Sequence, residues 1–305
     1  MPKQSTIIYS EDTSKRLDLF LSDKFREISR SQINKAISSG QIQLNSVKCL
    51  KSGTKLRQGD RLTFDPTLFL PSKTPKIKLP IIYEDKNVIV INKPSGVITH
   101  SKGRFNFEAS VASFISDKID PALLTSTTDS VNNRAGIVHR LDRGTSGIIL
   151  VVKNEATRLK ISRQFSKHKV SKVYYAIIEG KLSKDEAVIN MPIERNPKHP
   201  STFRVGSQGK AAATRYLVVK TSSDAKYSLL KLMPITGRTH QIRVHLRAIN
   251  HPIVGDNTYG GEPAARLMLH AAVLELNLEA IGKKSFKAPL PSEFNEYVDC
   301  SDVKI

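Results

Sequence analysis

The segment RAGIVHRLDRGTSGIILVVKN, residues 134–154, sets a lone aspartate, Asp142, between Arg140 and Arg143. Neighbouring cations favour the ionised form of a carboxylate. An ionised aspartate can serve as a nucleophile or as an electrostatic stabiliser. The plainer reading is a turn aspartate held by an arginine, and residue types alone leave both open. His139 and Asp142 in HRLD, with His240 and His245 in HQIRVH, raise the question of a metal site. Five helical residues turn through about 500°, so His240 and His245 diverge by roughly 140°, whereas zinc helices use an i, i+4 pair. No metal is expected. Cys49 and Cys300 lack an activating neighbourhood, and no serine sits in a hydrolase elbow.

These side chains need elements to hold them. SGIILVVKN is predicted as a buried strand. EATRLKISRQFSKHK follows as a basic helix, with Glu155 at its positive end and lysines at its negative end, as the helix dipole favours. In TGRTHQIRVHLRAIN, Ile242, Leu246 and Ile249 recur at i, i+4, i+7, which predicts a helix with His240, Arg243 and Arg247 on another stripe. IIYED and NVIVIN read as a hairpin. KVYYAIIEG, ATRYLVVKT, YSLLKLMPI and RLMLHAAVLELNLE read as further strands, EASVASFIS as a helix and TSTTDSVNNR as a polar loop. Regular β–α alternation and a glycine-rich nucleotide loop are both lacking, so a mixed, largely antiparallel sheet is expected within an α+β fold.

Residues 14–65 form a separate small unit in this reading. Leu17, Phe20 and Leu21 have helical spacing behind Ser14 as cap; Ile33 and Ile37 share a face of a second helix that stops at Gly40. QIQLN and QGDRLTF supply short strands. Arg16, Arg30 and Lys35 along the helices would present a basic face to RNA. The proline-rich stretch 66–80 is predicted as a semi-stiff linker, and residues 81–295 as the larger domain.

The chain carries 48 Lys plus Arg against 28 Asp plus Glu, a formal charge of +20, which points to a polyanionic partner. Residues 134–172 hold ten of these basic residues against Asp142 and Glu155, so the charge gathers around the opening segment. No apolar run approaches the roughly 18 residues of a membrane span. The start MPKQSTIIYSEDTSK has no signal-peptide core, and two distant cysteines suit a reducing cytoplasm.

GIVHRLDRGTSGIILVVKN resembles the signature of the RluA-type pseudouridine synthases. INKPSGVITH, HKVSKVYYAIIEG, TGRTHQIRVHLRAINHPIVGDNTYG and RLMLHAAVLEL resemble further motifs of that family in the same order. The N-terminal unit resembles the α-L RNA-binding module. The resemblance implies a catalytic domain with flanking helices around a central RNA-binding cleft. It also implies an isomerase that needs no cofactor or metal and acts as a cytoplasmic monomer, most often on large-subunit ribosomal RNA. Asp142 matches the essential aspartate, Arg243 its arginine partner, and Arg140 the residue that fills the place of the extruded base. Tyr174, with Tyr175 as the lesser alternative, matches the tyrosine that stacks on the uracil and takes the C5 proton. His139, Arg143, Arg238 and His240 join the expected RNA contacts. Gly144 departs from the family, where an acidic residue is common. A transfer-RNA substrate and a non-catalytic RNA-binding role are the alternatives.

Overall fold

The computed structural model describes residues 4–26, 28–69, 75–100, 108–125, 136–278 and 282–305. Residues 126–134 of the predicted polar loop, and Leu70 of the predicted linker, lie outside them.

The N-terminal unit runs β1 (Ser5–Ile8), α1 (Leu17–Lys24), α2 (Arg30–Ser38), β2 (Ile42–Leu44), β3 (Val47–Lys48), β4 (Arg61–Phe64). The strands pair antiparallel in the order β1-β4-β2-β3. Leu17 and Leu21 of α1 meet Ile33 and Ile37 of α2 in a closed apolar core. Ser29 and Gln32 form a capping box at the start of α2, and Gly40, at φ +70°, turns the chain out of it. Ser14 is not the cap of α1: the cap position is Arg16, without a side-chain bond. The Leu17 and Asp18 N–H groups are taken instead by the carbonyls of Thr54 and Ser52, at 2.8 and 3.1 Å. Tertiary pairing thus replaces the local cap.

The larger unit follows with β5 (Ile81–Glu84), β6 (Val88–Lys93), α3 (Val111–Ile115), α4 (Ala122–Thr125), β7 (Ser146–Val152), α5 (Glu155–Ser166), β8 (Ser171–Glu179), β9 (Glu186–Asn190), β10 (Ile193–Arg195), β11 (Phe203–Val205), β12 (Ala213–Thr221), β13 (Tyr227–Pro234), α6 (Gln241–Ala248), β14 (Leu269–Leu278) and β15 (Gly282–Lys287). Its main sheet has the order β5-β6-β7-β14-β8-β13-β12-β9, with β15 beside β14. Only the β7–β14 pair is parallel among these described pairings.

All seven residues of β7 are buried because both faces are covered. Ile149 and Val151 pack with Val111 and Ile115 of α3 on one side; Ile148, Leu150 and Val152 pack with Ile161 of α5 on the other. Gly147 lets β7 and β14 approach: a Cβ there would lie 2.2 Å from the Ala271 carbonyl oxygen. The α6 residues Ile242 and Leu246 enter the core built on β8, β13 and β14.

The described parts of stretch 66–80 belong to the two cores. Pro66–Phe69 is a turn of 3-10 helix, and Phe69 stacks on Phe25 at 4.2 Å between ring centroids. Ile77 and Leu79 pack in the core that holds β6 and β7. Pro66–Phe69 thus departs from the extended backbone that the prolines suggest.

Candidate active site

Asp142 lies on the loop that enters β7, and its side chain is 20% exposed. This loop is laced to the segment after β6. The Thr99 hydroxyl donates to the Leu141 carbonyl at 2.8 Å and accepts the Leu141 N–H at 3.2 Å. Gly96 N–H donates to the Arg143 carbonyl at 2.9 Å, and the Ser95 hydroxyl to the Gly144 carbonyl at 2.7 Å. Lys93, fully buried, donates to the carbonyls of Val97, Pro94 and Arg143 at 2.7, 3.0 and 3.2 Å. Burial takes its ammonium down to about 7, although the Asp142 charge works the other way. The aspartate therefore sits on a loop held on both flanks.

The partner of Asp142 arrives from α6. Arg243 Nη1 stands 3.4 Å from Asp142 Oδ2. The same guanidinium is gripped by Asp256, Nε to Oδ2 at 2.7 Å and Nη2 to Oδ1 at 2.8 Å. Burial opposes the charge on Arg243, and the Asp256 contact overcomes it, so its proton is held more tightly than usual. Tyr259 covers this guanidinium at 4.9 Å and shares a hydrogen bond of 2.8 Å with His240 Nδ1. His240 is the α6 cap in left-handed backbone, φ +57°, a conformation that histidine tolerates better than most residues. Its Nε2 lies 3.7 Å from Asp142 Oδ2. Burial lowers its pKa, so the ring is biased to the neutral form.

A cavity of about 450 Å³ opens beside Asp142. Leu141, Ile242 and Leu269 give it an apolar floor, and Arg140, Lys172 and Arg238 bring cations. Alternation along β8 separates the two tyrosines: Tyr174 lines the cavity, whereas Tyr175 is buried in the core. Burial, then the Asp142 charge, raise the Tyr174 pKa, so its phenol keeps its proton. A carboxylate, a fixed guanidinium and an aromatic ring around one cavity suit a planar base attached to a sugar.

The family model described as RNA pseudouridylate synthase matches residues 87–248, and that described as S4 domain matches residues 15–62. The chain belongs to the RNA pseudouridine synthase family. An "uncharacterized RNA pseudouridine synthase" of Aquifex aeolicus is 36% identical over 82% of this chain and 78% of its own length. The "ribosomal large subunit pseudouridine synthase D" of Borreliella burgdorferi is 36% identical over 91% of this chain and 86% of its own. Among solved structures, human RNA pseudouridylate synthase domain containing 1 superposes with a TM-score of 0.55 at 28% identity, covering 70% of this chain and 83% of that one. The synthase is an isomerase: it breaks the N1–C1′ bond of uridine in RNA and rejoins the base through C5.

In this synthase Asp142, Tyr174, Arg243, Arg140, Arg238 and His240 all border one cavity. Arg238 also donates to the Ala211 carbonyl at 3.1 Å. Arg143 is exposed on the Asp142 loop. His139 borders the cavity too, but its ring serves the fold. Its Nε2 accepts the Leu150 N–H at 2.9 Å and its face stacks on Phe165, and burial drives its pKa down to about 3. His245 faces away, bonded to Thr214 and to the Met191 carbonyl. Among the described residues no cluster of His, Cys, Asp or Glu could hold a metal ion, and no helix is long and apolar enough to cross a membrane.

In the S4 unit Arg16 and Arg30 both bond Asp18, whose side chain is 1% exposed, while Lys35 is exposed on α2. Residue-type reasoning passed over Lys93, Thr99, Asp256 and Tyr259. The first two lie in INKPSGVITH and the last two in HPIVGDNTYG, stretches noticed as motifs without a role for those side chains. Gly144 has a local reason: a Cβ there would stand 3.1 Å from Leu267 Cβ.

Proposed function

We propose that this synthase converts uridines of large-subunit ribosomal RNA to pseudouridine, with Asp142 as the reacting carboxylate. The observation that carries the roles is the chain of contacts Asp142–Arg243–Asp256 at the wall of the cavity. Because Asp256 fixes the guanidinium, Arg243 holds Asp142 without having to reorganise during the reaction. The uridine leaves its stack at a cost of a few kcal/mol, and exposed Arg140 at the cavity fills the space it vacates. Tyr174 is the platform for the detached base. Since its phenol keeps its proton, we assign it stacking ahead of proton removal from C5. His139 takes a positioning role in place of an RNA contact.

Asp142 acts by attack on C1′ of the ribose, by attack on the base, or by removal of the C2′ proton. Each route breaks N1–C1′, turns the uracil and joins C5 to C1′, as Asp142 leaves the carbon it attacked or its proton returns to C2′; C5 loses its proton and N1 gains one. Deuterium at C2′ separates the last route from the other two, because only proton removal gives a primary isotope effect.

Arg16, Arg30, Lys35, Arg143 and Arg238 contact phosphates, which position RNA without reading its sequence. The bacterial relatives named for the ribosomal large subunit support the substrate class, and we place the enzyme in the cytoplasm as a monomer. Residues 14–65 and 81–295 are assigned as its RNA-binding and catalytic domains.

The test is Asp142→Asn. RNA binding and thermal melting persist, while pseudouridine mapping shows no product. Mapping in cells with and without the protein should show loss from large-subunit ribosomal RNA. Loss confined to transfer RNA overturns the substrate assignment, and product from the variant overturns the role of Asp142.

A further inference from the structure

A second cavity, of about 710 Å³, lies within the larger unit and is lined by the β10–β11 hairpin, α6 and the loop around Thr258. It shares a wall with the active site. Phe203 and Tyr259 line it, and both rings pack edge-on against His240, at 5.6 and 5.7 Å between centroids. His240 in turn borders the first cavity. The Tyr259 hydroxyl ties this wall together: it accepts the Phe203 N–H at 3.0 Å and meets His240 Nδ1 at 2.8 Å.

The chemistry of the lining selects an anionic, flat ligand. His199, Arg204 and Arg247 contribute to it, and none of its lining residues is acidic. Arg204 is paired with Glu194 at 2.8 Å. Arg247, exposed near the end of α6, has no carboxylate in ion-pair range among the described residues. Aromatic rings beside an available guanidinium are the combination that holds a base and its phosphate. The substrate is a polymer, so with the target base in the first cavity its neighbours must lie against the walls around it.

We infer that this cavity is a second nucleotide subsite, which takes a base flanking the target uridine against Phe203 and Tyr259, with its phosphate at Arg247. The inference rests on the function proposed above. A ligand here also bears on the reaction, because the Tyr259 ring that it touches covers Arg243, the partner of Asp142.

The experiment is steady-state kinetics on the substrate RNA for wild type, Phe203→Leu, Arg247→Ala and Arg247→Glu, joined to photo-crosslinking. Loss of one stacking or phosphate contact should raise KM about ten-fold, with a smaller change in kcat, and Arg247→Glu should exceed Arg247→Ala. A misfolded variant would instead lose kcat and melt early. In the wild type, RNA with one 5-bromouridine beside the target should crosslink to a peptide containing Phe203 or Tyr259. Wild-type KM in all three variants, or crosslinks only to other peptides, overturns the subsite. A wild-type enzyme that makes no pseudouridine overturns the function while the crosslinks still report on the cavity.

Discussion

Arg243 holds Asp256 with two bonds, of 2.7 and 2.8 Å, and Asp142 with one, of 3.4 Å. The tight pair is buried and structural; the loose contact borders the cavity, where a substrate can alter it. One guanidinium thus joins the fold to the carboxylate proposed to react.

This asymmetry separates two variants. Arg243→Ala strands Asp256, which is 2% exposed, and removing one partner of such a buried pair costs about 3–5 kcal/mol. Asp256→Asn keeps the shape but loosens Arg243, so kcat should fall more than stability does. A double-mutant cycle read by urea melts and by kcat checks both; equal losses of stability and kcat in Asp256→Asn would contradict the positioning role.

Lys93 gives a pH dependence with two signs. Its pKa falls on folding from 10.5 to about 7, first because of burial. The folded state therefore binds fewer protons than the unfolded state between these values, and stability rises with pH across that window and levels off below about 7. The ammonium braces three carbonyls, including that of Arg143, and a neutral amine has one donor fewer. Activity should decline as pH rises through about 7 while stability increases. Urea midpoints and pH–rate profiles of wild type and Lys93→Met check this, and the variant should lose both trends.

Tyr174→Phe keeps the ring and removes a hydroxyl whose pKa is raised by burial and then by Asp142. The variant should retain product formation, with an unchanged pH–rate profile from neutral to mildly alkaline pH. Tyr174→Leu, which removes the platform, should lose about 1–3 kcal/mol of base stacking. Complete loss in Tyr174→Phe would return the phenol to proton transfer.

In the S4 unit, Asp18 is nearly inaccessible, yet Arg16 and Arg30 are about half exposed. Burial raises the Asp18 pKa, but the bonds from Arg30 and Arg16 outweigh it and the net shift is downward. The stabilisation is thus present above the unfolded pKa of 3.8 and is lost as pH falls through the folded one. Asp18→Asn should cost about 1–2 kcal/mol, discounted for the exposed partners. Melting of the whole chain monitored at α1 and α2 by hydrogen exchange checks it.

Much of the site was legible locally. HRLDRGTSG named Asp142 as a candidate, and the apolar run behind it announced β7. The spacing of Ile242 and Leu246 set the inner face of α6, and the other stripe carried Arg243. Ser14 misled because a side-chain cap is a local expectation, and Thr54 and Ser52 met the same N–H groups from elsewhere. No local pattern shows that His139 will accept the Leu150 N–H, because that partner is brought to it only by strand packing.

By itself the sequence determined the periodicities, the two-part organisation and the basic setting of a single aspartate, since these follow from side-chain type and near-neighbour spacing. Tertiary structure decided which arginine meets Asp142: Arg243, 101 positions away. It also decided that Asp256 would lock that arginine and that Lys93 would end up buried beneath the loop. The physical reason is that buried charges are placed by strand register and helix docking, which join residues that no local pattern links.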